Sequence, residues 1–167
     1  MLVPLVAMQF TDEVVWDVAD FAVAGVLLLG TGLTYELATR KAGQIAHRVA
    51  VGMTVAAALL LVWINLAVGL IGTEKNPANL MYAGVLAVGL IGAMIARFHP
   101  RGMARALCAT ALAQALVAVI ALIIWKPEVT LGVLGVNACF VLLFAGSAWL
   151  FRHAARQPNE PGVETTA

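Results

Sequence analysis

Residues 103–125 read MARALCATALAQALVAVIALIIW, a run whose one charged side chain, Arg105, lies near its start. The run is long enough to cross a hydrocarbon core of roughly 30 Å as an α-helix, which takes about 20 mainly apolar residues. The chain contains five such runs: Val14–Ala38, His47–Gly72, Ala78–Phe98, Met103–Trp125 and Val129–Phe151. The sequence therefore predicts an all-α, polytopic membrane protein with five transmembrane helices in one bundle.

The composition supports this fold class. The chain is 62% hydrophobic and 11% charged, whereas charged residues make up about a quarter of ordinary soluble domains. Its 167 residues leave room for one bundle and for no separate globular domain. We predict an outer-surface segment over 1–13, the bundle over 14–152, and a disordered cytoplasmic tail over 153–167, because the end of the chain is polar and contains prolines.

The Lys and Arg residues alternate between the connections and predict an orientation. The first connection, the third connection and the end of the fifth run hold most of them: Arg40, Lys41, Arg48, Arg97, Arg101, Arg105, Arg152 and Arg156. The other two connections hold Lys75 and Lys126. By the positive-inside rule, the N-terminus lies outside and the C-terminus in the cytoplasm. We therefore predict a multi-pass protein of a bacterial-type inner (cytoplasmic) membrane.

Turn residues mark where helices begin and end. Gly72 suits the C-terminus of the second helix, because glycine adopts a left-handed conformation without strain. Asn76 followed by Pro77 predicts a helix start, with Asn as the N-cap and Pro at the first helical position. Pro100 disfavours helix at His99, and Gly102 frees the backbone before the fourth helix.

Small residues at helical spacing predict close helix packing. They form five pairs: Gly25 and Gly32, Ala83 and Ala87, Gly89 and Ala93, Ala111 and Ala115, and Gly135 and Cys139. Such pairs let helix backbones approach closely in lipid. They favour either a tight bundle or contacts between subunits.

Polar side chains within the runs are the candidate functional residues, because such groups are costly in hydrocarbon. Counting about 1.5 Å per residue, Asp20, Asn65 and Asn137 lie at similar depth on helices one, two and five. If those helices are adjacent, the three side chains form one polar site, with Asp17 one turn further out. One hypothesis is a cation or proton entry site. The alternative is structural: the amides bond across helices or to backbone carbonyls, and the carboxylates reach water.

Two further side chains lie deep in the predicted bundle. Gln114 is near the middle of the fourth helix, where a lone amide either fixes helix contacts or contributes to the polar site. Trp63 is deeper than a residue of the interfacial aromatic belt, and its indole N–H needs a partner. We interpret it as facing the protein interior, or as a contact for a hydrophobic ligand such as a quinone, lipid or pigment.

Near the inner end of the first helix, Glu36 precedes Arg40 by four residues, the favourable order for a helical ion pair. A local ion pair is the simpler interpretation, and a proton exit opposite Asp20 is the alternative.

The sequence predicts neither catalysis nor a cofactor. It lacks paired carboxylates, a Ser/His/Asp set, a CxxC pair and a phosphate-binding loop. His47, His99 and His153 could bind zinc if their helices converged, but each lies near an Arg and none has a second ligand at metal-binding spacing. We predict interfacial histidines and no metal. Cys108 and Cys139 are interpreted as packing residues, and the net charge of +1 argues against a nucleic-acid partner.

Two functions follow from these features. The first is a non-catalytic accessory or structural subunit, whose partners are the lipid bilayer and either other membrane subunits or further copies of itself. The alternative is a small oligomeric transporter or channel that uses the polar site near Asp20, Asn65 and Asn137.

Overall fold

The computed structural model describes residues 18–40, 44–67, 69–72, 76–125 and 129–156. Over these ranges the chain forms five α-helices: α1 (Val18–Thr39), α2 (Ile45–Ala67), α3 (Leu80–Ile95), α4 (Pro100–Ile124) and α5 (Leu131–Ala154). A 3₁₀ turn (Pro77–Asn79) leads into α3. All five segments, α3 together with its 3₁₀ turn, are long and apolar enough to span a membrane. The predicted helical fold is confirmed. The outer-surface segment and residues 157–167 of the tail lie outside the described residues.

Helices α2 to α5 surround the core. α5 packs against both α2 and α4, α4 packs against α3, and α2 has a smaller contact with α3. The large side chains of the core are almost fully buried and include Leu61, Tyr82, Val85, Phe144 and Phe151. At one end of the bundle, the His47 ring meets Phe151 edge-on at 5.3 Å between centroids, which joins the start of α2 to the end of α5.

Helix α1 lies outside this core and packs mainly on α2. Only 6% of the residues in its most apolar window are buried, whereas the other four helices bury 22–33%. Its contact with α2 includes Tyr35, whose Cε2 lies 3.4 Å from where a Cβ on Gly52 would be. α1 is therefore attached along one side and exposed around most of its circumference.

Helix α2 ends at Ala67, five residues before the predicted end at Gly72. Gly69 adopts a left-handed φ of 70°, and its N–H bonds the Ile64 carbonyl at 3.1 Å. The next residues are held by Asn79, whose Oδ1 accepts from the N–H groups of Leu70 and Ile71 at 3.0 and 2.9 Å. Gly69 therefore takes the helix-ending role that the sequence assigned to Gly72, and the segment to Gly72 folds onto the start of α3.

The predicted cap before α3 is confirmed. Asn76 has an extended backbone, and its Oδ1 accepts from Ala78 N–H at 2.9 Å, with Pro77 in the first turn. That first turn is 3₁₀, and α-helical geometry begins at Leu80.

The hairpin between α3 and α4 is tighter than predicted. α4 begins at Pro100 rather than at Met103, and Arg97 and Phe98 take the left-handed conformations, with φ of 47° and 58°. Gly102 therefore lies inside the helix, where a Cβ would come within 2.6 Å of the Ala96 Cβ. Its role is to permit a close approach between the two arms of the hairpin.

Candidate functional site

A cluster of three polar side chains lies in the core where α3, α4 and α5 meet. The Tyr82 hydroxyl donates to Asn137 Oδ1 at 3.1 Å, and Gln114 Nε2 donates to the same oxygen at 3.0 Å. Their exposed fractions are 1%, 2% and 0% for Tyr82, Asn137 and Gln114. One amide oxygen thus links three helices in a region shielded from solvent.

Most of the polar atoms in this cluster are paired. Asn137 Nδ2 donates to the Val133 carbonyl on its own helix at 2.9 Å. The exception is Gln114 Oε1, which is buried and has no hydrogen-bond partner within the described part of the chain. Since an unpaired buried acceptor costs about 1–3 kcal/mol, this oxygen is the one atom of the cluster available to a polar guest such as a water molecule.

The chemistry of the cluster is that of neutral groups. A phenol and two primary amides donate and accept hydrogen bonds, and neither amide is a base or a nucleophile at neutral pH. The arrangement can fix the rotation and register of three helices, and it can offer one acceptor oxygen.

An apolar groove borders the cluster between α4 and α5. It has a volume of about 420 Å³ and is open to the outside of the bundle. The side chains around it are small or aliphatic, with Asn137 as the polar member: Ala115, Ala118, Leu134, Asn137, Ala138, Val141 and Leu142. The groove is therefore a shallow apolar recess whose shape would accept another helix or an acyl chain.

The structure places the predicted polar residues in different surroundings. Gln114 and Asn137 bond directly, whereas Asn65 donates from Nδ2 to the Leu61 carbonyl of its own helix at 2.8 Å. The buried Asn65 Oδ1 has no partner among the described residues, so hydrogen bonds do not join Asn65 to Asn137. Asp17 lies outside the described residues. Asp20 belongs to the first turn of α1. Its side chain lies outside the part of the chain that the structure describes, as does its predicted contact with Asn65 and Asn137.

The other candidate residues lie away from this cluster. Glu36 and Arg40 form an ion pair at 3.1 Å, with side-chain exposures of 65% and 62%. Trp63 is half-buried on α2. Cys108 and Cys139 are free thiols, and Arg152 Nη2 lies 3.3 Å from Cys108 Sγ. Among the described residues, His, Cys, Asp and Glu form no group of three placed to hold a metal ion.

Sequence reasoning missed Tyr82 and Ser147. The Tyr82 hydroxyl completes the cluster, and the fully buried Ser147 Oγ has no partner among the described residues. Tyr82 lies five residues after Pro77, where a tyrosine resembles an interfacial aromatic residue. The signal was its helical spacing to Val85 and Gly89, which places it on the inward face of α3.

Comparisons with protein-family models, with curated proteins and with solved structures find no match for this chain.

Proposed function

We propose that the chain is a multi-pass protein of a bacterial-type inner membrane and acts as a non-catalytic accessory or structural subunit of a larger membrane complex or of a homo-oligomer. Five apolar helices long enough to span the bilayer support insertion. The alternation of Lys and Arg supports an outside N-terminus and a cytoplasmic C-terminus.

The observation that carries the subunit role is the exposure of α1. This helix buries 6% of its most apolar window, and Cβ atoms on Gly30 and Gly32 would meet nothing within 4 Å. Two hydroxyls on the same stretch bond backward to the helix backbone, from Thr31 to Leu27 and from Thr34 to Gly30. Gly30 and Thr34 are one turn apart and form a face of small side chains, and Gly32 leaves a second small position on the opposite side of α1. In lipid, helices associate by close van der Waals contact along such faces.

The internal polar groups agree with a structural role. Tyr82, Gln114 and Asn137 bond to one another, and the Asn65 amide nitrogen bonds its own helix. The bonds between helices fix helix contacts, and the Asn65 bond pairs its amide nitrogen within α2.

A transporter or channel is the second candidate, and one observation favours it. Gln114 Oε1 and Asn65 Oδ1 are buried acceptors without partners in the described part of the chain. Acceptors of this kind inside a bundle suit water molecules or a cation in transit. On this hypothesis Asp20 supplies the titrating group.

The test is a mild-detergent pull-down of the tagged protein from its native membrane, followed by native mass spectrometry. We expect a complex of defined stoichiometry, which the double variant Gly30→Leu/Gly32→Leu weakens. Gly84→Leu is the matched control, because Gly84 is also exposed, lies on α3 and has open space around its Cβ position.

The outcomes separate the two functions. A complex lost with the α1 variant and kept with the control supports docking through α1. A wild-type protein that is monomeric in this experiment, or a complex that both variants leave intact, contradicts it. A homo-oligomer that conducts cations or protons in liposomes, with flux reduced by Asp20→Asn, replaces the subunit role with transport.

A further inference from the structure

Four arginines surround one cavity between the start of α4 and the end of α5. The cavity has a volume of about 210 Å³ and is lined by Arg101, Ala104, Arg105, Arg152, Ala155 and Arg156. We propose that it binds the phosphate group of an anionic ligand, and that the source is the headgroup of an anionic lipid. The choice of a lipid source rests on the proposed membrane insertion and is independent of the subunit role.

The helix geometry brings these side chains together. Arg101 and Arg105 are one turn apart on α4, and Arg152 and Arg156 are one turn apart at the end of α5. Residues four apart lie on the same helix face, about 5–6 Å from each other. Because α4 and α5 are antiparallel and packed together, the two pairs face each other across the cavity. The buried Ala104 and the half-buried Ala155 leave the space between them open.

The arrangement lacks a counter-charge among the described side chains. Glu36 is the one carboxylate among them, and it pairs with Arg40 on α1. The partner of Arg152 is a neutral group that does not line the cavity: its Nη2 donates to Cys108 Sγ at 3.3 Å. Like charges four residues apart destabilise a helix, so an anion between the two pairs would relieve repulsion within both.

The helix dipoles do not account for all four arginines. Arg152 lies in the last turn of α5 and Arg156 just beyond it, where a cation is favoured, but Arg101 lies in the first turn of α4, where a cation is disfavoured. The positive-inside rule needs these charges somewhere at this end of the bundle, but it does not need them around one cavity. An anion is favoured by both helices' arginines and by the positive end of the α4 dipole.

The chemistry selects phosphate. Guanidinium groups bind phosphate oxygens through paired N–H donors, and several guanidinium groups can share one phosphate. Basic pockets between transmembrane helices on the cytoplasmic side are suited to anionic lipid headgroups. The cavity is several times the roughly 30 Å³ that a water molecule occupies in the liquid, which leaves room for such a group.

The experiment titrates purified protein in detergent with phosphatidylglycerol and, separately, with phosphatidylcholine, and counts bound lipid by native mass spectrometry. Both lipids carry a phosphate, but the choline cation opposes binding among arginines. We expect saturable, preferential binding of one phosphatidylglycerol. The double variant Arg105→Gln/Arg156→Gln removes one guanidinium from each helix and should weaken that binding by at least about tenfold.

The matched control is Arg48→Gln/Arg97→Gln, which removes the same charge from exposed positions at the same end of the bundle but outside the cavity. It should leave lipid binding nearly unchanged. If the protein carrying Arg105→Gln/Arg156→Gln is not monodisperse in detergent, the variant Arg101→Gln/Arg152→Gln repeats the test.

A second titration with inorganic phosphate identifies the source of the ligand. Phosphate binding that is lost in Arg105→Gln/Arg156→Gln, with phosphatidylglycerol binding unchanged, would keep the phosphate site but assign it to a soluble anion. Equal losses of phosphatidylglycerol binding in the cavity pair and the control pair, or a cavity pair that loses neither lipid nor phosphate binding, would overturn the proposal. Lipid titration does not measure subunit assembly, so its failure is distinguishable from a failed pull-down.

Discussion

Asn137 makes three hydrogen bonds with one carboxamide. Its Oδ1 accepts from Tyr82 and Gln114, and its Nδ2 donates to the Val133 carbonyl. An amide oxygen has two lone pairs, so both are occupied and the side chain is fixed in one orientation. Removing this residue would leave two buried donors unpaired, whereas removing either donor leaves the other bond in place.

We therefore predict an order of stabilities for three variants. Asn137→Leu should lower the free energy of unfolding by about 1–3 kcal/mol, because the buried Tyr82 hydroxyl and Gln114 Nε2 lose their acceptor. Tyr82→Phe should cost about 0.6 kcal/mol, the average for a bond between helices in a membrane protein. Gln114→Leu should also cost less than Asn137→Leu, since it removes the unpaired Oε1 as well. Thermal unfolding in detergent micelles, followed by circular dichroism, gives the order. A smaller loss for Asn137→Leu than for Tyr82→Phe would contradict it.

At this scale the sequence predicted part of the site. Gln114 and Asn137 were identifiable because amides are conspicuous in an apolar run. Their pairing with each other was not, because similar depths on different helices do not say which helices are neighbours. Depth grouped Asn137 with Asn65, but α5 turns Asn137 toward α3 and α4.

Among the elements, the connection from α2 to α3 depends on Asn79. Its side chain accepts from the Leu70 and Ile71 amides and donates to the Ile71 carbonyl at 3.3 Å. These bonds replace the helical bonds that residues 69–72 lose when α2 ends at Ala67. Leu70 and Ile71 are buried, so the segment contributes to the core although it is not helical.

Asn79→Ala should therefore expose and loosen this segment. We expect faster amide hydrogen exchange at Leu70 and Ile71 and a loss of stability of about 1–3 kcal/mol, because buried backbone groups lose their partners. Asn79→Asp keeps both acceptor bonds and loses the donor, so its exchange rates should stay closer to those of the wild type. Unchanged exchange in Asn79→Ala would show that other contacts hold the segment.

Helix ends were predictable where a side chain makes the cap and less so where the backbone does. Asn76 and Pro77 mark the start before α3 by their own chemistry. At the end of α2, Gly69 and Gly72 both adopt a left-handed φ, and the bonds from Asn79 are tertiary contacts that no local pattern contains.

For the whole molecule, the alternation of basic residues predicts which ends are accessible from outside. In a Cys108→Ser/Cys139→Ala background, Thr130→Cys lies at the start of α5 and Arg156→Cys just beyond its end. An impermeant maleimide should label the first in intact spheroplasts and the second only after lysis. Labelling of Arg156→Cys in intact spheroplasts would reverse the proposed orientation.

The five helices followed from hydropathy, but their arrangement did not. Each helix is apolar on most of its surface. The sequence of a helix such as the one over 103–125 therefore does not indicate which of its faces packs against which other helix. Small residues gave a partial signal. Gly89 of the predicted pairs, where a Cβ would lie 3.1 Å from Thr110 Oγ1, marks the close contact of α3 with α4, whereas Gly135 on α5 has nothing within 4 Å of its Cβ position.

The packing of α5 against both α2 and α4 has a consequence for biosynthesis. α5 is the last of the five helices to leave the ribosome, yet it provides the main contact between α2 and the other core helices, because α2 and α3 touch each other only slightly. Before α5 is synthesised, the Tyr82 hydroxyl and Gln114 Nε2 lack the Asn137 acceptor to which they donate in the folded protein. The bundle therefore closes only once α5 has been synthesised, and a chain interrupted before Leu131 would leave the Tyr82 and Gln114 donors without their shared acceptor.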